Sequence, residues 1–275
     1  MRLDSVKLEA SAIRQRFDAI ASTFDKADFV HEKTRAGLLE RLKPIKIDGG
    51  LILDLGSATG KGSKELHKVY RSATIISFDI SSEMLKKVLR KRPLFSRYNP
   101  LAVQGDASRI PIQDKCVDLV FCNQMLPWVD NLSNLFSEIE RILKPNGVFS
   151  FATLGPETFS GLYTIEKRSK AFLYPDMHDV GDALVQAGLS DPVLDIDRLK
   201  VTFPSLAALV TDLEACGASR HLSARQLELQ AIHCKTIEMD FELVYGHAWG
   251  TKKRLQNDEY QIDPKSITQR TTTFK

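Results

Sequence analysis

Cysteine is scarce in this chain. Cys116, Cys122, Cys216 and Cys234 are the only four in 275 residues and none forms a C-x-x-C pair. That argues against a zinc site or a disulfide framework and suits a reducing compartment. Long apolar runs are lacking too, and no stretch approaches the ~20 residues needed to span a bilayer. Met1 to Phe17 mixes both charges without an apolar centre, so no secretory signal is visible. Net charge is small: 38 Lys and Arg against 35 Asp and Glu leave +3, which does not mark a nucleic-acid binder. A local basic patch for an acidic partner is compatible with it. The six histidines are scattered; His178 and His247 stand beside predicted element ends, with no Ser/His/Asp or Cys/His set around them. Internal repeats and low-complexity tracts are absent. These absences predict a cytoplasmic chain with no membrane span and no bound metal.

What is present is ordinary for a globular protein, with 43% apolar and 27% charged residues. The length favours one core with an embellishment over two domains. One stretch organises the rest. Ile52-Leu53-Asp54-Leu55 is a short apolar run ending near an acid; Gly56-Ser57-Ala58-Thr59-Gly60 then turns the chain, and Lys64 to Val69 has helical spacing. Strand, tight turn and helix form the first unit of a doubly wound α/β fold, whose ligands sit beyond the carboxyl ends of the strands. Small residues at 56, 58 and 60 let a ligand approach the main chain.

The alternation continues. Ala73 to Phe78 reads as a buried strand ending at Asp79, with a helix capped by Ser81 or Ser82 behind it. Leu101 to Gln104, Asp118 to Asn123 and Val148 to Leu154 read as further strands, with a helix over Leu132 to Leu143 and a turn at Pro145-Asn146-Gly147. Two helices precede the core, over residues 5–24 (broken near Ala21-Ser22-Thr23) and His31 to Leu42. After Leu154 the rhythm changes. Gly155 to Met177 predicts a helical lid, Asp179 to Ala187 a helix, and Val193–Phe203 and Asp240–Trp249 two strands separated by helices near Leu206–Cys216 and Ala224–Ile237. Thr251 to Lys275 is polar and aperiodic, and predicts a mobile tail. We therefore expect a single domain over 1–275: N-terminal helices at 1–45, a ligand-binding core at 46–154, lid and C-terminal strands at 155–250, and a tail at 251–275.

Asp54, Asp79 and Asp106 each lie at or just beyond a strand end, one strand apart, and should reach the same edge of the sheet. Any one of them could be a turn or cap residue; three in step are harder to obtain by chance. Asp79 follows the glycine turn by about 20 residues, where an acid accepts the hydroxyls of a ribose and repels a 2′-phosphate. The turn fails both the dinucleotide pattern, with Lys61 where glycine or alanine belongs, and the phosphate loop, whose spacing it lacks.

What remains, D-x-G-x-[GA]-x-G, resembles the class I S-adenosylmethionine methyltransferases, a Rossmann-like family with a seven-stranded sheet. The resemblance implies that Asp79 holds the ribose of S-adenosylmethionine, that Asp106 contacts the adenine amino group with Ala107 beside it, and that Gly56, Ala58 and Gly60 back the methionine portion. It places Asp54 near the amino group, acting through water or main chain. Ile80 and Met84 would pack on the adenine, with plain helix core as an equal alternative, and Asn123 and Gln124 would meet the reacting end. Asn123 to Trp128 lacks the Pro-Pro of enzymes acting on nucleic-acid amines, which speaks against a nucleobase substrate.

Several stretches are more particular: Arg16 to Asp25, Asn123 to Leu132, Phe151 to Phe159, Asp176 to Leu184 and Phe241 to Gly250. Over roughly 14–250 the chain is similar to the malonyl-[acyl-carrier protein] O-methyltransferase family of biotin synthesis. That implies methylation of the free carboxylate of a malonyl thioester on acyl-carrier protein, a proximity mechanism with no dedicated catalytic base, and Phe24, Pro127 and Trp128 near the substrate. It also implies an arginine or lysine beside the malonyl carboxylate, and makes Arg220, His221 and Arg225 docking candidates for the acidic carrier, with an ordinary solvated face as the alternative. Three positions depart from the family: Ala58 for glycine, Phe24 for tyrosine, and Pro127 for glutamine or histidine. A related protein-modifying branch that serves complex I assembly, a small-molecule methyltransferase and a non-catalytic scaffold are the competing readings.

Overall fold

The computed structural model describes residues 9–47, 49–91, 98–159, 174–216 and 236–251. Most of the predicted lid, the helix near Ala224–Ile237, the tail beyond Thr251 and the docking candidates Arg220, His221 and Arg225 lie outside the described residues.

The apolar runs become seven strands: β1 (Leu51–Leu55), β2 (Thr74–Asp79), β3 (Leu101–Gln104), β4 (Val117–Asn123), β5 (Leu143–Leu154), β6 (Ser190–Phe203) and β7 (Ile237–Trp249). The helical patterns become α1 (Ala10–Ile20), α2 (Phe29–Leu42), α3 (Lys61–Val69), α4 (Ser82–Arg90), α5 (Leu132–Ile142), α6 (Met177–Gln186) and α7 (Leu206–Ala215). The strands form one sheet in the order β3-β2-β1-β4-β5-β7-β6. β1 pairs in parallel with β2 and β4, β2 with β3, and β4 with β5. β7 runs antiparallel to both β5 and β6. This is the expected doubly wound, Rossmann-like sheet.

Continuous apolar strands mean two covered faces, and the side-chain period of two divides them. Leu53, Leu55, Val120, Cys122, Phe149 and Phe151 pack with Leu135, Phe136 and Ile139 of α5 and Val180 and Leu184 of α6. Ile52, Leu119, Phe121, Val148 and Ala152 point the other way, to Leu38 and Leu42 of α2, Leu66 of α3, and Leu209 and Leu213 of α7. Burying each such side chain contributes roughly 1.5–3 kcal/mol against the entropy of ordering the chain. Among the described residues no helix is long and apolar enough to cross a membrane.

Two connections need a physical account. Residues 105–116 join β3 to β4 with no helix. Their carbonyls are satisfied by a side chain instead: the Arg141 guanidinium donates to the carbonyls of Ile112 and Ile110 at 2.7 and 2.8 Å. Pro145-Asn146-Gly147 does not precede β5 but lies within it. Val117 pairs with Leu143 and Leu119 with Val148, so the extra residues of β5 bulge out, with Asn146 at φ 63°.

α1 is held against the start of α4. Asp18 accepts from the Ser81 hydroxyl at 2.7 Å and from the Glu83 main-chain N–H at 3.1 Å. Between them Phe24, Ala21 and Met84 form a small core, with Phe17, Ile20 and Ala58 packed on it.

Candidate functional site

The strand order turns back between β1 and β4, which opens a crevice at their carboxyl ends. A cavity of about 380 Å³ lies there, within the usual range for small-ligand sites. Its wall includes Asp54, Gly56, Ala58, Asp79, Ile80, Asp106, Ala107, Asn123, Gln124, Phe24 and Trp128, and α1 contributes Ile13 and Phe17. The three strand-end acids thus face one space.

Asp79 is buried at the end of β2. One carboxylate oxygen accepts from the Ala58 N–H and the other from the Ser81 N–H, each at 2.8 Å. A carboxylate has about four acceptor sites, so capacity remains for a diol hydroxyl. Burial pushes the carboxyl up to about 6, opposed by these main-chain N–H groups, with Asp18 adding to the rise. Asp54 does not end its strand at the rim but turns back toward the first turn of α3. It accepts from the Ser63 hydroxyl at 2.5 Å, and Ser63 and Ser77 share a further hydrogen bond at 2.6 Å. Gly62 permits this approach, since a Cβ there would lie 3.0 Å from the carboxylate. Burial pushes Asp54 up to about 7; the Ser63 bonds oppose the rise and nearby Asp79 reinforces it. A buried acid so raised has unmet affinity for a cation. Asp106 is exposed and accepts from the Ser108 N–H at 2.8 Å.

The turn is held by the Gly56 and Ser57 N–H groups, which both donate to the Phe78 carbonyl, at 2.9 and 3.0 Å. Gly56 lies at φ 74°, and a Cβ there would sit 2.6 Å from the Met125 side chain. Gly56→Ala should therefore lower stability by about 1–3 kcal/mol through backbone strain alone, and displace the turn. Thermal melting and cofactor titration would check both, and an unchanged melting temperature would contradict the assignment. Ala58 holds a left-handed conformation at φ 45°, at a cost of roughly 1–2 kcal/mol. Its methyl is accommodated by the Phe24–Met84 core, which is how this chain does without glycine.

Three predicted site residues are not on the wall of this cavity. Gly60 faces α4 at φ 80°, and its missing Cβ would meet Val88 at 2.9 Å, so close helix packing is one reason for glycine there. Met84 is fully buried against Phe24 and Ala21 and is not on the cavity wall, which is the helix-core alternative. Pro127 lines a second, smaller space of about 50 Å³ with Leu154, Phe159 and Phe241. The rings of Trp128 and Phe17 meet edge to face at 4.8 Å, and Phe24 meets His31 the same way at 5.1 Å.

Sequence reasoning found α2, expected over His31 to Leu42, but missed its place in the cavity wall. His31, Arg35, Leu38 and Leu42 recur at helical spacing, and all but His31 are buried; a charged residue on that stripe was the available signal. Arg35 donates to Asp28 at 3.0 Å and Glu65 at 3.1 Å. Lys61 donates to Asp28 at 2.8 Å, with Asp25 at 3.7 Å. These are the two Arg or Lys residues among the described cavity wall, and acids hold both. Burial pulls His31 down to about 4, with Arg35 and Lys61 assisting and Asp28 opposing, so its imidazole is neutral near pH 7. The Asn123 amide donates to the His31 carbonyl at 3.0 Å and ties α2 to the end of β4. Four buried atoms of wall residues have no hydrogen-bond partner among the described residues: Ser57 Oγ, Asn123 Oδ1, Gln124 Nε2 and His31 Nδ1. Each unsatisfied group costs about 1–3 kcal/mol. The acceptor capacity of Asp79, the buried Asp54 carboxyl, and the orphaned Ser57 Oγ and Asn123 Oδ1 fit a polar, partly cationic nucleoside.

Comparison with known proteins bears on the family and the fold. The family described as "Methyltransferase domain" matches residues 53–151. The "Malonyl-[acyl-carrier protein] O-methyltransferase" of Methylovorus sp. (strain MP688) is 34% identical, over 93% of this chain and 94% of that protein. Its namesake from Halorhodospira halophila (strain DSM 244 / SL1) is 31% identical, over 97% and 98%. Among solved structures, the phosphoethanolamine N-methyltransferase 2 of Haemonchus contortus in complex with S-adenosyl-L-methionine superposes with a TM-score of 0.60 at 16% identity, over 90% of this chain and 61% of that one. At that identity the likeness concerns the fold alone. Given relatives about one-third identical over nearly its whole length, the chain belongs to the malonyl-[acyl-carrier protein] O-methyltransferase family.

Proposed function

We propose that this protein methylates the free carboxylate of a malonyl thioester on acyl-carrier protein, with S-adenosylmethionine as donor, at the start of biotin precursor synthesis in the cytoplasm. The observation that carries the reading is the near full-length similarity to relatives of that name. The acid-rimmed cavity supports the cofactor half.

In this reading Asp79 accepts the ribose hydroxyls, Asp106 and Ala107 lie along the adenine, and Ile80 packs on its face. Asp54 balances the charge of the amino-acid end above the Gly56–Ala58 turn. When bound, S-adenosylmethionine supplies an electrophilic methyl on a sulfonium. An acceptor carboxylate oxygen attacks that carbon in line; the O–C bond forms as the S–C bond breaks, and the electron pair stays on sulfur. No proton moves, because a carboxylic acid with a reference pKa near 4 is already ionised. The protein's contribution is position and the exclusion of water, which Phe17, Phe24 and Trp128 provide, and such positioning contributes roughly 7–11 kcal/mol in well-aligned systems.

Incubation with methyl-labelled S-adenosylmethionine and malonyl-carrier protein tests the reading. Label recovered in a base-labile ester is the expected result. Cofactor binding without transfer to malonyl thioesters would reject it.

A further inference from the structure

The acceptor carboxylate needs a partner, and the two cations on the described cavity wall are engaged. Arg35 is held by Asp28 and Glu65, and Lys61 by Asp28 and Asp25. Two neutral groups are different. Gln124 and His31 wall both the larger cavity and the smaller apolar one beside it. Gln124 is only 6% exposed, yet its Nε2 has no partner among the described residues, nor has His31 Nδ1. A buried donor left unpaired in the free protein calls for a ligand that pairs it.

Both are also placed with care. Gln124 leaves β4 at φ 59°, a left-handed turn fixed by its N–H to the Ala152 carbonyl at 2.8 Å. His31 is pinned through its carbonyl by Asn123. We propose that Gln124 and His31 hold the acceptor carboxylate, at the partition between the two cavities, by neutral hydrogen bonds and not by an ion pair. The inference rests on the proposed reaction. Its logic is electrostatic. Transfer turns an anion and a cation into two neutral products, so a full cation bonded to the carboxylate would stabilise the ground state more than the transition state. Neutral donors orient one oxygen and leave the other free to attack. The expected arginine or lysine is therefore replaced by an amide and an imidazole.

The test uses the full chain saturated with S-adenosylhomocysteine and compares binding of malonyl- and acetyl-carrier protein by titration calorimetry, alongside methyl-transfer kinetics. Wild type should prefer the malonyl form by about tenfold or more. Gln124→Met should reduce that preference to roughly threefold or less and raise KM for malonyl-carrier protein about tenfold, with cofactor affinity unchanged within about twofold. His31→Phe should act in the same direction. Because position 124 is left-handed, Gln124→Asn serves as a second variant that suits the backbone but shortens the reach, and it should show the same loss. A preference intact in all three variants overturns this inference and leaves the proposed reaction standing. A preference lost only in Lys61→Met overturns it in favour of an ion pair. Wild type that neither prefers the malonyl form nor transfers methyl overturns the proposed reaction itself.

Discussion

Asp79→Ala should weaken S-adenosylmethionine binding by more than tenfold, since a charge-assisted hydrogen bond contributes about 1.5–3 kcal/mol. The loss has two parts. The ribose loses its acceptor, and the Ala58 and Ser81 N–H groups lose theirs, so the glycine turn and the first turn of α4 come loose together. Asp79→Asn separates these parts. The amide keeps the shape and one carbonyl oxygen for a main-chain N–H, but cannot accept twice from a diol. We expect Asp79→Asn to melt closer to wild type than Asp79→Ala while still binding the cofactor about tenfold more weakly. Calorimetric titration and thermal melting of both variants decide it. Cofactor affinity within about twofold of wild type in Asp79→Asn would remove the residue from the site.

Asp54→Asn should have effects of opposite sign on stability and on binding. The carboxyl has a folded value of about 7 against an ordinary 3.8. Folding therefore favours its neutral form: the stabilisation is complete below pH 3.8 and is lost as pH rises through 7. Near pH 8 the ionised group costs the empty protein on the order of 4 kcal/mol, a cost that asparagine does not carry. The empty variant should melt several degrees above wild type near pH 8, and the difference should shrink to less than half near pH 5 and close only below pH 3.8. Binding runs the other way. A cationic amino-acid end favours the ionised carboxylate, so the variant should bind S-adenosylmethionine about tenfold more weakly near pH 8 and nearly equally near pH 5. Wild-type binding should release protons near neutrality, with Asp79, raised to about 6, adding to the release as pH falls. Calorimetry in buffers of different ionisation heat measures this directly. An empty variant that melts no higher than wild type near pH 8 would refute the account.

The parts of the site legible in the sequence were the local ones. The β1 turn and Asp79 at the end of β2 follow from apolar runs, small residues and a fixed offset, all within one βαβ unit. What was not legible depended on contacts between distant segments. Gly60 looks like a ligand-facing glycine until Val88 arrives from α4, and Met84 looks like an adenine platform until α1 and Phe24 cover it. His31 and Arg35 sit in a helix that carries no recognisable motif of its own, and their place in the wall depends on where α2 crosses the sheet. Residues 105–116 carry no helical pattern, and periodicity cannot reveal that Arg141 holds the Ile110 and Ile112 carbonyls.

The place of β7 has a consequence for how the protein is made. The last of the described strands along the chain, Ile237–Trp249, is inserted between β5 and β6. Until the ribosome has released it, β6 has no neighbour to bond and one flank of β5 stays open, a state prone to mispairing with other chains. A premature stop before residue 237 would thus take away the strand that joins β6 to the rest, even though every acid of the pocket had already been synthesised.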